Sequence, residues 1–351
     1  MEPSGLESEL LIRPLTSADF AAFNAMTQHA GHGITSLVPN EVLLKDRLNR
    51  VEDSFHQRVS PNKRFFLFGL ERLSEQKLIG IAGIKLCTGY KLPFYNYKLS
   101  SLVQRSRALN KTFNHRILCL VNDYQYAAEL CSLFLLPEYR RGRRGAFLSR
   151  ARFLFMANYL EQFPQRIIAE MRGVCDAQGR SPFWDGLVKP FFDMSFSEAD
   201  YLTTAQNKQF IADLMPCYPI YVDLLNEAAQ AVIGKSHPET MPAYHFFMRE
   251  QFHYHDYIDI FDGGPVLEAS VKEILSIKRS QVRALAKVKS SLAQPILTLI
   301  CNIPEEDRQS EFKAVLRGIE GNSDSLMVDE STARILNAEV GSNLRVCPLH
   351  L

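Results

Sequence analysis

The chain reads as an α/β domain on a mixed sheet flanked by helices, with a small β-rich subdomain at its C-terminal end. Three observations predict this. Helical spacing of apolar residues near the start gives way, from Arg64, to a meander of strand-like runs. A strongly apolar strand, an arginine- and glycine-rich turn, a helix, a strand and another helix then follow, an alternation typical of α/β folds. The composition is globular: 351 residues, 46% hydrophobic and 23% charged, with 40 Lys+Arg against 39 Asp+Glu. That excludes a disordered chain, and the near-zero charge argues against a whole surface tuned to nucleic acid or anionic lipid.

Leu11–Pro14 is the first strand. Thr16-x-x-Asp19 resembles a capping box ahead of a helix carrying Phe20, Phe23 and Met26. A loop of small residues, Ala30–Ser36, precedes Asn40, which can cap a second helix with the stripe Leu44, Leu48, Val51 and Phe55. Phe65–Leu73 and Leu78–Cys87 are strands joined by a polar hairpin connection, and Tyr95–Val103 and His115–Asp123 are two more. Glu129–Leu136 is the most apolar strand, expected to be buried on both faces, and Pro137 ends it.

The turn Arg140–Gly145 leads into a helix with Leu148, Ala151 and Phe155 on one face. Arg166–Arg172 is a strand, and Ser181-Pro182 opens a helix with Phe183, Trp184 and Leu187; this cluster, with Phe191-Phe192, is expected in the core. Pro219–Ile233 and Ala243–Phe252 look helical, and Tyr254–Phe261 alternates as a strand. Asp262-Gly263-Gly264-Pro265 is a strong turn and the candidate boundary. It divides a disordered extension (1–10) and a main domain (11–265) from the C-terminal subdomain (266–351). There, Val271, Ile274, Leu275, Val282 and Leu285 predict a helix, and Ile296–Cys301, Phe312–Leu316, Ser325–Val328 and Leu344–Pro348 predict short strands.

Seven cysteines are scattered without a CxxC pair, so no disulfide framework or zinc knuckle is legible. Met1–Leu11 holds three glutamates and no basic segment, and no apolar run approaches the ~20 residues that span a bilayer. A soluble protein of a reducing cytoplasm, with no membrane partner, is the expectation.

The Arg140–Gly145 turn is the best lead to chemistry. It lies between a strand and a helix start, where backbone N–H groups and the helix dipole favour an anion, and Arg140, Arg141, Arg143 and Arg144 add charge. Ala146-Phe147 stand where a nucleotide-hydrolysing loop would carry its lysine, so a held pyrophosphate fits better. A solvated basic turn or a nucleic-acid patch is the alternative; the absence of interleaved aromatics counts against nucleic acid. His253-x-His255 lacks a third metal ligand, so no metal is expected, and Cys131 reads as core packing.

Strand–(R/Q)xxGx(G/A)–helix after a meander resembles the coenzyme A loop of acyl-CoA N-acyltransferases, the GNAT-like fold. Longer motifs resemble the arginine N-succinyltransferase family: Glu129-Leu-Cys-Ser-Leu-Phe-Leu, Ser149-Arg-Ala-Arg-Phe-Leu-Phe-Met-Ala, Ala169-Glu-Met-Arg-Gly, Ser181-Pro-Phe-Trp, Ile233-Gly-Lys-Ser-His-Pro and Tyr257-Ile-Asp-Ile-Phe-Asp-Gly-Gly-Pro. Tyr95-Asn96-Tyr97 and Thr35-Ser36-Leu37 match as well. The resemblance implies transfer of succinyl from succinyl-CoA, a co-substrate and not a bound cofactor, to the α-amine of L-arginine. It implies His237 as proton donor and Leu133 as a succinyl-CoA position. Arg143 replaces the first loop glycine of the family, with Gly142 one place earlier and Gly145 retained, and His32 stands where the family tends to glycine.

The residues themselves admit this chemistry. An ammonium must lose a proton before attacking a thioester, and the leaving thiolate gains one; a histidine serves either transfer. A backbone N–H where Glu129–Leu135 splays from its neighbour strand can hold the oxyanion, so Leu133 would act through its backbone. A guanidinium calls for a carboxylate, and Asp123, Glu129, Glu170 and Asp259 all lie on or beside predicted strands. Glu129 is equally a general base or the polar entry to a buried strand. The rivals are the same transfer to ornithine or another basic amino acid, and a catalytically silent binding protein on this fold. Homo- and hetero-oligomers both stay open.

Overall fold

The computed structural model describes residues 9–29, 40–196, 198–199, 202, 213–322 and 325–349. Residues 1–8 of the expected extension and the 30–39 loop with His32 lie outside the described residues, and Leu10 already belongs to the first strand.

The N-terminal elements form where the sequence places them. Strand β1 (Leu10–Pro14) leads through the Thr16–Asp19 capping box to α1 (Phe20–Thr27). Asn40 accepts from the Leu43 N–H to cap α2 (Glu41–Phe55), whose Leu44, Leu48, Val51 and Phe55 are all buried. The meander follows as β2 (Phe65–Arg72), β3 (Lys77–Lys85), β4 (Asn96–Ser106), β5 (Lys111–Val121) and β6 (Ala128–Leu135). Helix α3 (Arg144–Asn158) and β7 (Arg166–Glu170) complete the crossover.

Downstream, two expected helices are largely something else. Pro219–Ile233 contains the two-residue strand β8 (Ile220–Tyr221) and only a short helix, α4 (Glu227–Val232), capped by Asn226. The stripe from Val271 breaks at Ser280: Leu275–Arg279 is one short helix, whereas Val282 and Leu285 lie in β11 (Gln281–Lys289). Lone apolar residues at mixed spacing fit either period, and β-sheet pairing decides here. Helix α5 (Met241–Arg249) and β9 (His253–Asp259) stand near their predicted places, whereas β10 (Pro265–Ser270) forms directly after the expected boundary turn, where no strand was predicted. Strands β12 (Ile296–Asn302), β13 (Ala314–Gly321), β14 (Ser325–Asp329) and β15 (Asn343–Pro348) again stand near their predicted places. Phe191, expected in the core, is 44% exposed, while Phe183 and Trp184 are buried.

Among the described residues, fifteen strands join one sheet in the order β12-β15-β11-β14-β13-β1-β2-β3-β6-β7-β10-β9-β4-β5-β8. The Asp262–Pro265 turn lies inside the β9–β10 hairpin, and β10 also pairs with β7. The C-terminal strands enter through β13, antiparallel to β1. Strand β6 alternates buried and half-buried residues, so it is not covered on both faces as expected. Helix α3 is the more buried element: Phe147, Leu148 and Ala151–Met156 are inaccessible or nearly so, because sheet, α2 and C-terminal strands surround it. Phe155 meets Phe55, Phe66, Phe68 and Phe312 at ring distances of 4.9–5.7 Å, tying these layers together.

Candidate active site

The centre of the sheet opens between β6 and β7. These parallel strands are in register only at Ala128↔Ile167 and Glu129↔Ile168, after which β6 runs on without that neighbour. On its other side, β6 pairs with β3 at Cys131↔Gly83 and Phe134↔Ile81, so two residues, Ser132 and Leu133, face the single Ala82. This is a β-bulge, marked by Ser132 at φ 53°, a left-handed conformation that costs a non-glycine residue energy. Ser132 and Leu133 therefore have no register partner on either side. Nothing in the sequence marked Ser132; the deviation exists only because two strands meet it out of step.

The arginine-rich turn stands at the end of this strand. Pro137–Tyr139 forms a single helical turn, Gly142 takes φ 66°, and Arg143 sits at φ −98° just before α3. The left-handed position thus falls on the glycine, and the arginine replacing the family's first glycine adopts a conformation open to any side chain. The N–H groups of Gly142, Arg143, Arg144, Gly145 and Ala146 have no backbone acceptor among the described residues; the next donor, Phe147 N–H, bonds the Arg143 carbonyl. Consecutive orphan donors at a helix start form an anion nest. Arg140, Arg141 and Arg143 are exposed, Arg140 being held by the Leu135 carbonyl at 2.9 Å. Arg144 is buried against the Tyr139 ring, 5.6 Å from its centroid, and its Nη1 has no hydrogen-bond partner. A Cβ at Gly145 would meet only Leu135, at 3.6 Å.

His237 is tied to the chain just beyond the end of β7. Its N–H donates to the Arg172 carbonyl at 2.8 Å, just beyond β7, and Gly173 and Ser236 form a bridge beside it. Continuing the β6–β7 register brings this end of β7 level with the bulge. Ring Nδ1 accepts from the Glu239 N–H at 3.2 Å, and the Cys175 backbone also bonds the ring. Both contacts are to backbone, so proton exchange with a substrate requires the ring to give one up. Burial, followed by the Arg172 charge, lowers the His237 pKa and favours the neutral ring.

The four carboxylates separate. Asp123 accepts from Tyr257 OH at 2.7 Å at the far end of the strands. Glu129 is bound by Lys85 at 3.3 Å beside the opening. Glu170, at the end of β7, accepts from Asn96 Nδ2 at 3.3 Å, and Asn96 is the register partner of Asp259. Asp259 Oδ1 takes the N–H groups of Phe261 and Asp262, at 2.6 and 3.1 Å, and so shapes the turn after β9. Glu129 and Glu170 therefore border the opening, Asp123 lies at the far end of the strands, and Asp259 holds the turn after β9. Arg172, which sequence reasoning passed over, ties the His237 segment down through its carbonyl and an ion pair with Glu239 at 3.6 Å.

An open depression of about 740 Å³ lies beside the Pro238 turn, lined by Pro238, Met241, Pro242, His245, Met248 and Arg249. Its lining includes none of the bulge, the arginine-rich turn or the four carboxylates, although Pro238 follows His237 directly. Among the described residues no cluster of ligands suits a metal, and no helix is long and apolar enough to cross a membrane.

Comparison with known proteins identifies the family. The family model of the arginine N-succinyltransferase beta subunit matches residues 10–276. An arginine N-succinyltransferase of Yersinia pseudotuberculosis (serotype O:3, strain YPIII) is 38% identical over 344 residues, 96% of this chain and 97% of its own length. One from Enterobacter sp. (strain 638) is 36% identical over 342 residues, 97% of this chain and 98% of its own. The solved structure of arginine/ornithine succinyltransferase subunit AI from Pseudomonas aeruginosa matches with a TM-score of 0.87 and 29% identity, over 98% of this chain and 100% of that one. By matches that run nearly end to end, and by its α/β acyltransferase fold, the chain belongs to the arginine N-succinyltransferase family.

Proposed function

We propose that this enzyme transfers succinyl from succinyl-CoA to the α-amine of L-arginine. The observation that carries the reading is the unpaired bulge at Ser132–Leu133, opposite the β6–β7 opening and continuous with the anion nest at Gly142–Ala146. The nest and Arg144 suit the pyrophosphate of CoA, which would lead the thioester along β6. Leu133 N–H is the group assigned to the thioester oxygen and to the oxyanion that forms there.

In the reaction, the α-ammonium gives up a proton and its nitrogen attacks the carbonyl carbon. The tetrahedral adduct then breaks its carbon–sulfur bond, and the CoA thiolate takes a proton. His237 is assigned the proton transfer, because it sits level with the bulge and is neutral near physiological pH. Glu129 and Glu170 are the carboxylates assigned to the basic side chain of the acceptor. Ornithine is a second acceptor reading, favoured by the match to the Pseudomonas arginine/ornithine enzyme subunit. An acceptor panel of arginine, ornithine and lysine with succinyl-CoA and acetyl-CoA, followed by thiol release, tests both. A bidentate guanidinium site prefers arginine to lysine by at least about tenfold in kcat/KM. Equal rates on all three amines would discard that site, and no thiol release with any would discard the transferase.

A further inference from the structure

Arg152 carries a charge that the surrounding fold leaves unmatched. It stands in α3 with 0% of its surface exposed. Nη1 donates to the Gly83 carbonyl at 3.0 Å and Nη2 to Ser149 Oγ at 3.3 Å. Nε has no hydrogen-bond partner, and no carboxylate pairs with this guanidinium among the described residues. Burial pushes its pKa down to about 10. A lone buried charge is costly, and a chain that keeps one has a use for it.

That charge sits against the bulge. Gly83, which holds Nη1, is the register partner of Cys131, and a Cβ at Gly83 would come within 3.2 Å of Cys131 Sγ. Cys131 lies in the field of Glu129, Lys85, Arg152 and Arg47, and Glu129 and Lys85 match each other at 3.3 Å. The next residue, Ser132, buries an Oγ that meets no polar group other than the weakly bonding thiol of Cys131. A cation with no carboxylate partner and a hydroxyl that reaches only sulfur thus flank one small thiol.

We propose that this recess receives the terminal carboxylate of the succinyl group, with Arg152 and Ser132 Oγ as the groups that recognise it. The inference rests on the succinyl-CoA reading above and adds how succinyl is told from other acyl groups. Cys131 is two residues from Leu133, about 7 Å along the strand. Two methylenes, a carboxylate and one hydrogen bond cover that span. Arg152 is covered in the free chain, so entry requires the small side chains of Cys131 and Ser132 to shift. A neutral acyl chain of the same length leaves Arg152 unpaired and is rejected for that reason.

The test compares succinyl-CoA with butyryl-CoA, which keeps the chain length without the carboxylate, in wild type, Arg152→Met and Arg152→Lys. Wild type should prefer succinyl-CoA by about 100-fold or more in kcat/KM, the range for a buried charge left unpaired. Arg152→Met should lose that preference by lowering the succinyl-CoA value while butyryl-CoA changes less than about threefold. Arg152→Lys should recover part of it. Parallel losses on both substrates, with unaltered affinity for CoA itself, would make Arg152 a structural residue and overturn the proposal. Should neither variant fold, direct binding to wild type decides: succinyl-CoA held no tighter than butyryl-CoA also overturns it. A wild type that turns over acyl-CoA but never succinyl-CoA would instead discard the succinyltransferase reading.

Discussion

Gly145→Val separates what the anion nest does for a ligand from what it does for the fold. Gly145 is the second residue of α3, and a Cβ there meets nothing closer than Leu135 Cδ1 at 3.6 Å, an ordinary contact. The chain itself has no steric need of glycine at this point. Glycine in a helix is about 0.5–1 kcal/mol less stable than alanine, and valine recovers part of that difference. Stability should therefore stay level or rise slightly. Binding should move the other way, because the new methyl groups stand over the orphan N–H groups of Arg144, Gly145 and Ala146. A hydrogen bond to a charged group contributes about 1.5–3 kcal/mol, so losing one raises the CoA dissociation constant about tenfold to a hundredfold. Titration calorimetry with CoA, beside urea unfolding of the same preparation, reads both quantities. Gly142→Ala supplies the contrast: at φ 66° a Cβ is strained, and about 1–2 kcal/mol of stability should go with the affinity. A folded Gly145→Val protein that binds CoA as wild type does would refute the nest as the pyrophosphate site.

Four further outcomes are expected. Arg144→Ala should weaken CoA binding, and the loss should shrink less with added salt than for the exposed Arg141→Ala, because a buried charge is less screened; CoA titrations at two salt concentrations check this. His237→Ala should lower kcat by about 10²–10⁴-fold with CoA affinity nearly unchanged, and near-normal turnover would transfer attention to Glu129. The same histidine has a lowered pKa in the fold, so the unfolded chain takes up its proton first on acidification. Its stabilising share is complete above the unfolded value near 6.5, fades as pH falls towards the folded one, and should be missing from the pH profile of His237→Ala unfolding. Glu250 is inaccessible and takes Arg150 Nε at 2.8 Å together with the N–H and Oγ of Ser276, joining α3 to the C-terminal region. Glu250→Ala should cost about 3–5 kcal/mol in chemical unfolding, because it strands a partly buried guanidinium.

Local signals were legible wherever one element settles its own geometry. The capping box at Thr16–Asp19, the Asn40 cap and the four-residue stripe of α2 depend on near neighbours, and all form as spelled. The arginine- and glycine-rich turn ahead of α3 was legible for the same reason, since orphan donors follow from any helix start. Elements without a periodic stripe were misread. Val282 and Leu285 look helical until β14 and β15 pair with them, and Pro219–Ile233 changes from strand to turn to helix within fifteen residues. The four candidate carboxylates were equivalent in sequence; their separation depends on Tyr257, Lys85, Asn96 and the Phe261 turn, which no spacing announces.

The sequence by itself determined the α/β class, the order of strand, arginine-rich turn and helix, and the family whose motifs it spells out. Those properties live in patterns a few residues long, and burial rewards each pattern separately. The tertiary structure alone decided the bulge at Ser132, the opening between β6 and β7, the approach of His237 to Arg172 and the unmatched charge of Arg152. Each is a relation between segments distant in the chain. A bulge exists only as a mismatch with a partner strand, and a charge is unmatched only once packing has chosen its neighbours.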